Sequence, residues 1–306
     1  MSSETRRICL ASPRGFCAGV RRALDMVADA LKKHGSPIYV LHEIVHNEYV
    51  VDGLKKQGVI FVESLAELPS GSLLIFSAHG VSRAIEEEAA RRGLRTIDAT
   101  CPLVKRIHQK ARSFEERGIK VILIGHPQHP EISGTLGQIP PGHAIVVETA
   151  QSVAKLPGKL DSSPLAYLTQ TTLSIADTAE IVKALQKRFP QIEGSGDICY
   201  ATRNRQEAVR LLAANCDAIL IIGSPKSSNS NRLRETAEEK RIPAWLLGGA
   251  KDVSLDELSP YPRIGISAGA SAPECLVEEL ISFLQSHGWP ELVEIPGPSE
   301  DMSFPR

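Results

Sequence analysis

Three cysteines stand just ahead of helix-like runs: Cys17 in GFCAGVRRAL, Cys101 in ATCPLVKRI and Cys199 in DICYATRNRQEAV. None has a second cysteine close enough to make a CxxC pair. A helix start offers free N–H groups and the positive end of the helix dipole, which favour the thiolate, the form that ligates metal. Pro102, directly after Cys101, suits the first helical position. Any one of these residues would serve equally as a small core hydrophobe. Three in equivalent places, at near-even intervals, point instead to a metal centre with one position left open. Iron–sulfur clusters usually take four cysteines, so a cluster held by three would leave one iron open, much as catalytic zinc keeps a free position. A zinc site built from the same thiolates is the competing chemistry. Cys9 in a strand run, Cys216 near a helix end and Cys275 within a helical run lack this setting and read as structural.

The second set of candidates is polar. His46 in VHNEYV, His79 in SAHGVS and His129 in HPQHPE each follow a strand run, with His42 and His126 as neighbours that order the loops. HEIVH, from His42 to His46, matches the HExxH zinc pattern, which needs a helix to put both imidazoles on one face. Here it follows PIYVL, a strand run, so the helix is expected at or after Asn47. Ser227, Ser228 and Asn229 in GSPKSSNSN, Thr171 in TQTT and Ser271 in GASAP also sit after strands. Hydroxyls, amides and N–H groups at helix starts suit phosphate oxygens, although Ser, Thr and Asn also cap helices routinely. With histidines at the other strand ends, the set favours a small anionic ligand. No GxxxxGK[ST] or GxGxxG supports a nucleotide site. Glu131 is the one carboxylate inside such a cluster and would lie near Thr171 if the repeats superpose, a place for a proton donor. His34 at a helix end, His108 on a charged helix face and His143 in a loop are assigned no role.

These residues need elements to hold them. Short β-branched runs (RICLA, PIYVL, GVIFV, LLIFS, KVILIG, AIVVE, LAYLT, DAILIIG, PAWLLG, RIGIS) alternate with amphipathic runs, the signature of parallel sheets flanked by helices. The order recurs three times: cysteine and helix, a strand ending in polar residues, a plainer strand, then a strand ending in small polar residues. The reading is α/β, with three pseudo-equivalent segments, each a small mostly parallel sheet. Their bounds are 1–100 with Cys17, 101–195 with Cys101 and 196–285 with Cys199, followed by a tail at 286–306. Ligands bind at the carboxyl ends of strands in open α/β sheets, and the polar clusters fall at such ends.

The bulk numbers agree. A chain of 306 residues with 42% hydrophobic content can bury a substantial core, and a formal net charge of −1 gives no basic excess for nucleic acid. No apolar run is long enough to span a membrane, and the start has no apolar signal core. A cytoplasmic chain would keep its scattered cysteines reduced.

PRGFCAGV, HEIVHN, FSAHGVS, DATCPLV, GHPQHPE, TQTTLS, DICYATRNRQEAV, SSNSNRL and AGASAP, in this order from about Pro13 to Pro273, resemble the 4-hydroxy-3-methylbut-2-enyl diphosphate reductases, which catalyse the last step of the non-mevalonate isoprenoid pathway. The resemblance implies three α/β segments around a central [4Fe–4S] cluster held by Cys17, Cys101 and Cys199, with one iron open to the substrate hydroxyl. It implies that His46, His79, His129, Ser227, Ser228, Asn229 and Ser271 surround a diphosphate. Thr171 would contact the substrate and relay protons from Glu131. Two electrons from a ferredoxin or flavodoxin would convert the allylic alcohol to isopentenyl and dimethylallyl diphosphates. Arg6, Arg7, Arg21 and Arg22 are candidates for donor docking. The family often carries a tail that returns over the site, whereas VEIPGPSEDMSFPR ends soon after Phe304. Two other readings use the same residues: a zinc hydrolase of a small phosphate ester, and a non-enzymatic phosphate-ligand binding protein, which has no use for three thiolates.

Overall fold

A computed structural model describes residues 6–194 and 196–305, so Ser195, the expected end of the second segment, lies outside the described residues. The strands, in chain order, are β1 (Arg7–Ser12), β2 (Ile38–Leu41), β3 (Val59–Val62), β4 (Leu73–Phe76), β5 (Arg95–Asp98), β6 (Lys120–Ile124), β7 (Ala144–Val147), β8 (Leu165–Thr169), β9 (Glu193–Gly194), β10 (Ala218–Ile222), β11 (Ala244–Leu247), β12 (Arg263–Ala268) and β13 (Glu291–Pro296). Helices join them, as parallel neighbours require.

The strands form three parallel sheets, of order β11-β10-β12-β1-β13, β3-β2-β4-β5 and β7-β6-β8-β9. The last two share one topology: the first strand pairs with the second on one side and the third on the other, and the fourth lies beyond the third. The first sheet repeats it with β10, β11 and β12, but its fourth place is taken by β1 from the start of the chain. β13 then adds outside β1, in register from Arg7 opposite Glu291 to Ser12 opposite Pro296. Sheet membership and chain order therefore part company at both ends: residues 7–12 and 291–296 belong to the sheet of the third segment.

By internal packing the chain divides into two compact units. One holds the first sheet, with residues up to Val20, His46–Gly53 and Tyr200–Ser303; the other holds both four-stranded sheets and Phe304 onward. Period-2 alternation builds the core of the first. Leu220 and Ile222 of β10 face Ile264, Ile266, Leu280 and Trp289, while Ile219 and Ile221 face Val209, Leu212 and Leu233. Helices cover both faces, which is why AILII is apolar throughout. In the other unit, Leu74 and Phe76 pack with Leu41 and Val62, and β6 divides its residues between two clusters in the manner of β10.

Two local expectations meet the structure differently. The helix after β2 runs Glu48–Lys56, so HEIVH lies ahead of it, with His42 at φ +58. His108 is more than a surface residue: it is buried on the helix Pro102–Glu116 with Val104, Ile107 and Ala111, 6% exposed, with the charges of Arg112, Asp98 and Lys105 around it. Burial, then Arg112, lowers its pKa to about 4, which keeps it neutral.

Candidate functional site

In an open sheet of this strand order the crevice opens between the first and third strands, where the chain turns off in opposite directions. The candidate polar residues follow those strands: 227–229 after β10 and Ser271 after β12, His46 after β2 and His79 after β4, His129 after β6 and Thr171 after β8.

The three cysteines share one backbone device. Cys17 N–H donates to the Ala270 carbonyl (3.2 Å), Cys101 N–H to Ala78 (3.0 Å) and Cys199 N–H to Thr171 (3.1 Å). Each acceptor is the second residue past the end of a third strand: β12, β4 and β8 in turn. Each cysteine directly precedes a helix, Ala18–His34, Pro102–Glu116 or Tyr200–Ala213, with Pro102 in the first turn of the second. Among the described residues none of the three is joined in a disulfide, and all are partly exposed. A soft donor set of this kind, with helix-start dipoles behind it, fits an iron–sulfur cluster or zinc. Among the described residues no three His, Cys, Asp or Glu side chains are grouped to hold a metal ion.

The loop of Cys17 is tightly specified. Gly15 N–H donates to the Ala268 carbonyl at 3.1 Å, and Gly15 sits at φ +63, where a Cβ would come 3.1 Å from the Ala272 carbonyl oxygen. Only glycine meets both demands without strain. In the same unit the Ser271 hydroxyl donates to the His46 carbonyl at 3.1 Å. Ser227 caps the helix Ser228–Glu239, its Oγ accepting from Ser230 N–H, so the capping role expected of such residues is real here. Asn229 is different. It is 3% exposed, and among the described residues neither its Oδ1 nor its Nδ2 has a partner. Unpaired buried amides cost about 1–3 kcal/mol, and a polar ligand would offset that.

In the other unit His79 and His129 meet edge to face, ring centroids 5.7 Å apart. His129 precedes the helix Pro130–Leu136, and its Nδ1 accepts the Glu131 N–H at 3.2 Å. An accepting Nδ1 carries no proton, so the neutral ring keeps its proton on Nε2 as a donor. Glu131 is buried, 3% exposed. Thr171 grips both its oxygens: the N–H donates to Oε1 and the hydroxyl to Oε2, each at 2.7 Å. Burial outweighs these bonds, and with the charge of Asp197 it raises the carboxyl to about 7. A group half-protonated near neutrality can give or take a proton at little cost.

Several residues of this neighbourhood were not singled out by sequence reading. Asp197 pairs with Lys110, and its N–H donates to Thr169 Oγ1 at 3.1 Å. Gln170, 1% exposed, accepts the His126 N–H and donates to Thr172. His42 pairs with Glu63 at 2.8 Å and His126 with Glu148 at 2.9 Å, both glutamates directly after a second strand. Of the arginines considered for docking, Arg6 stacks on Trp289 and Arg22 donates to the carbonyls of Thr100 and Pro305. No helix among the described residues is long and apolar enough to cross a membrane.

The family model of the LytB protein matches residues 8–285. The chain is 52% identical, over 97% of its length and 96% of the relative's, to a 4-hydroxy-3-methylbut-2-enyl diphosphate reductase of Marinobacter nauticus. It is 51% identical to the enzyme of that name from Actinobacillus succinogenes, with the same coverage. The solved E-1-hydroxy-2-methyl-but-2-enyl-4-diphosphate reductase of Plasmodium falciparum superposes with a TM-score of 0.94 at 39% identity, covering 97% of this chain and 94% of that one. A second solved reductase, titled the terminal enzyme of the non-mevalonate pathway, gives a TM-score of 0.67 at 33% identity, over 92% of this chain and all of that one. With the fold, the strand-end residues and these likenesses in agreement, the chain belongs to the LytB protein family of oxidoreductases.

Proposed function

We propose that the chain reduces 4-hydroxy-3-methylbut-2-enyl diphosphate to isopentenyl and dimethylallyl diphosphates in the cytoplasm, with a ferredoxin or flavodoxin as electron source. Two electrons and two protons enter, the allylic C–O bond breaks, a C–H bond forms at either end of the allyl unit, and water leaves. Cys17, Cys101 and Cys199 are the residues that would hold a [4Fe–4S] cluster, and reduced cysteines at three helix starts suit that task. Such a cluster, when bound, supplies single electrons and one open iron.

The protein's own groups do the rest. The hydroxyls of Ser227, Ser228 and Ser271, the unpaired amide of Asn229 and the imidazoles of His46, His79 and His129 bind the diphosphate. The Nε2 proton of His129 points this role toward an anion rather than a metal. Glu131 supplies the proton that lets the hydroxyl depart as water, since hydroxide is a poor leaving group. Thr171, bonded to the carboxyl through its hydroxyl, stands where it can pass that proton on.

One observation carries the reading: a buried carboxyl with both oxygens held by Thr171 and a pKa near 7. Glu131→Gln is expected to lower turnover by about 10²–10⁴-fold with iron and acid-labile sulfide unchanged at about four each per chain. Normal turnover in that variant would remove Glu131 from the mechanism. Zinc without sulfide in anaerobically purified protein would replace the cluster.

A further inference from the structure

Arg205 is the only arginine among the largest fully buried side chains, 1% exposed in the described structure. Burying a guanidinium is costly unless its donors are met. Here Nε and Nη2 both donate to the Gly15 carbonyl (3.1 and 2.8 Å), and Nη1 donates to the Ala201 carbonyl (3.0 Å) and to Glu300 Oε1 (2.7 Å). Glu300 is itself held by Asn204 Nδ2 at 3.3 Å. Gly15 lies two residues before Cys17. On the other side of that cysteine, Ala18 N–H, an orphan donor of the helix start, donates to the hydroxyl oxygen of Tyr200 at 3.2 Å. Arg205 and Tyr200 belong to one helix, Tyr200–Ala213, which packs on β1, β12 and β13.

We propose that Arg205 and Tyr200 are positioning residues for Cys17: one helix holds the backbone on both sides of the cysteine, and Glu300 of the tail balances the buried charge that does so. This rests on the reading of Cys17 as a cluster ligand. Hydrogen bonds to the Gly15 carbonyl and from Ala18 N–H fix where the Cys17 backbone sits, in addition to its own bond to Ala270. A fork of two guanidinium donors on one carbonyl is a geometry that lysine cannot copy.

The test uses the full chain stripped of iron, alkylated with iodoacetamide and followed peptide by peptide. Arg205→Lys keeps the charge but not the fork, and Tyr200→Phe keeps the ring but not the acceptor. Each is expected to speed alkylation of Cys17 by about tenfold, the effect of losing bonds that hold a local segment closed, with Cys9 and Cys216, buried in the same unit, changed less than about twofold. Glu300→Gln is expected to act in the same direction. In the loaded chain, Arg205→Lys is expected to lose iron to a chelator faster than the wild type. Unchanged Cys17 reactivity in both variants, or an equal rise at Cys17 and at the buried Cys9 and Cys216 of the same unit, would overturn the proposal, because a merely structural arginine loosens that whole unit alike. Iron and sulfide assays on the wild type keep the two readings apart: their absence would overturn the cluster reading, whatever the alkylation rates.

Discussion

Glu131 is where residue chemistry is most exposed to test. Its carboxyl titrates near 4.5 in the unfolded chain and about 7 in the fold. The folded state therefore binds this proton more tightly. The stability it contributes is complete below about pH 4.5 and is lost as pH rises through about 7, a change of about 3 kcal/mol. Glu131→Gln has no such loss, so its stability relative to the wild type is expected to rise by that amount between pH 4 and pH 8 in denaturant titrations. A constant difference would mean that Glu131 is not raised. Rates should follow the same group. As a proton donor Glu131 works when protonated, so turnover with a chemical electron donor should fall through about pH 7. The Thr171 hydroxyl bond favours the ionised form. Thr171→Val should move that falling limb to higher pH while lowering the maximal rate; a limb that stays put or moves down would break the link between the two residues. The sequence placed both residues at strand ends. It could not show their contact, which spans forty positions of chain and joins the first turn of the helix Pro130–Leu136 to the loop after β8. The burial of His108 is legible in the sequence: Val104, Ile107, His108 and Ala111 follow the i, i+3, i+4, i+7 spacing of a buried stripe, although the charged residues between them mask it.

Elements decide where these side chains can stand. Apolar runs such as AILII, KVILI and LAYLT announced their strands because both sheet faces are covered. RTID, EG and ELVEIP are strands too, but each is an edge and largely exposed, so no apolar pattern marks them. The polar crevice of the first sheet depends on close approach at two strand ends. Ser230 is wedged beside Gly223 and Gly269: a Cβ on Gly269 would lie 2.1 Å from Ser230 Oγ and 3.5 Å from Asn229 Nδ2, and one on Gly223 would lie 2.2 Å from the same hydroxyl. Gly269→Ala should thus cost about 1–3 kcal/mol by overpacking and push Asn229 out of place. The expected result is a KM for the diphosphate substrate raised about tenfold or more, with kcat affected less. Adding Ser230→Ala should restore most of the affinity, because the clashing hydroxyl is gone and it has no hydrogen bond to lose among the described residues. If Gly269→Ala binds substrate normally, Ser230 does not set the wall beside Asn229.

At the scale of the whole molecule, the repeat seen in the sequence is a repeat of topology, and the chain ends complete it. Three sheets share one strand order, yet the first can reach it only by borrowing β1 from the far end of the sequence. Non-local parallel pairing of this kind leaves no local signature, so the order of elements was readable and the membership of β1 and β13 was not. The same arrangement makes a prediction about stability. β1 is central, flanked by β12 and β13, so removing residues 291–306 turns it into an edge and takes away Glu300, the counter-charge of Arg205. The first sheet lies in one compact unit and the other two sheets in the other, and different regions of one chain open with different free energies. In native-state hydrogen exchange, the truncated chain should lose protection at Ile8, Leu10 and Ile266 by about a hundredfold or more, the effect of roughly 3 kcal/mol. Leu74 in β4 and Ile122 in β6 should stay within a fewfold of the full chain, because what the cut takes from their unit is the short end from Phe304, with the exposed bond from Arg22 to the Pro305 carbonyl. An equal loss in all three sheets would mean that the molecule opens as one body, and the tail would then stabilise every sheet through the first.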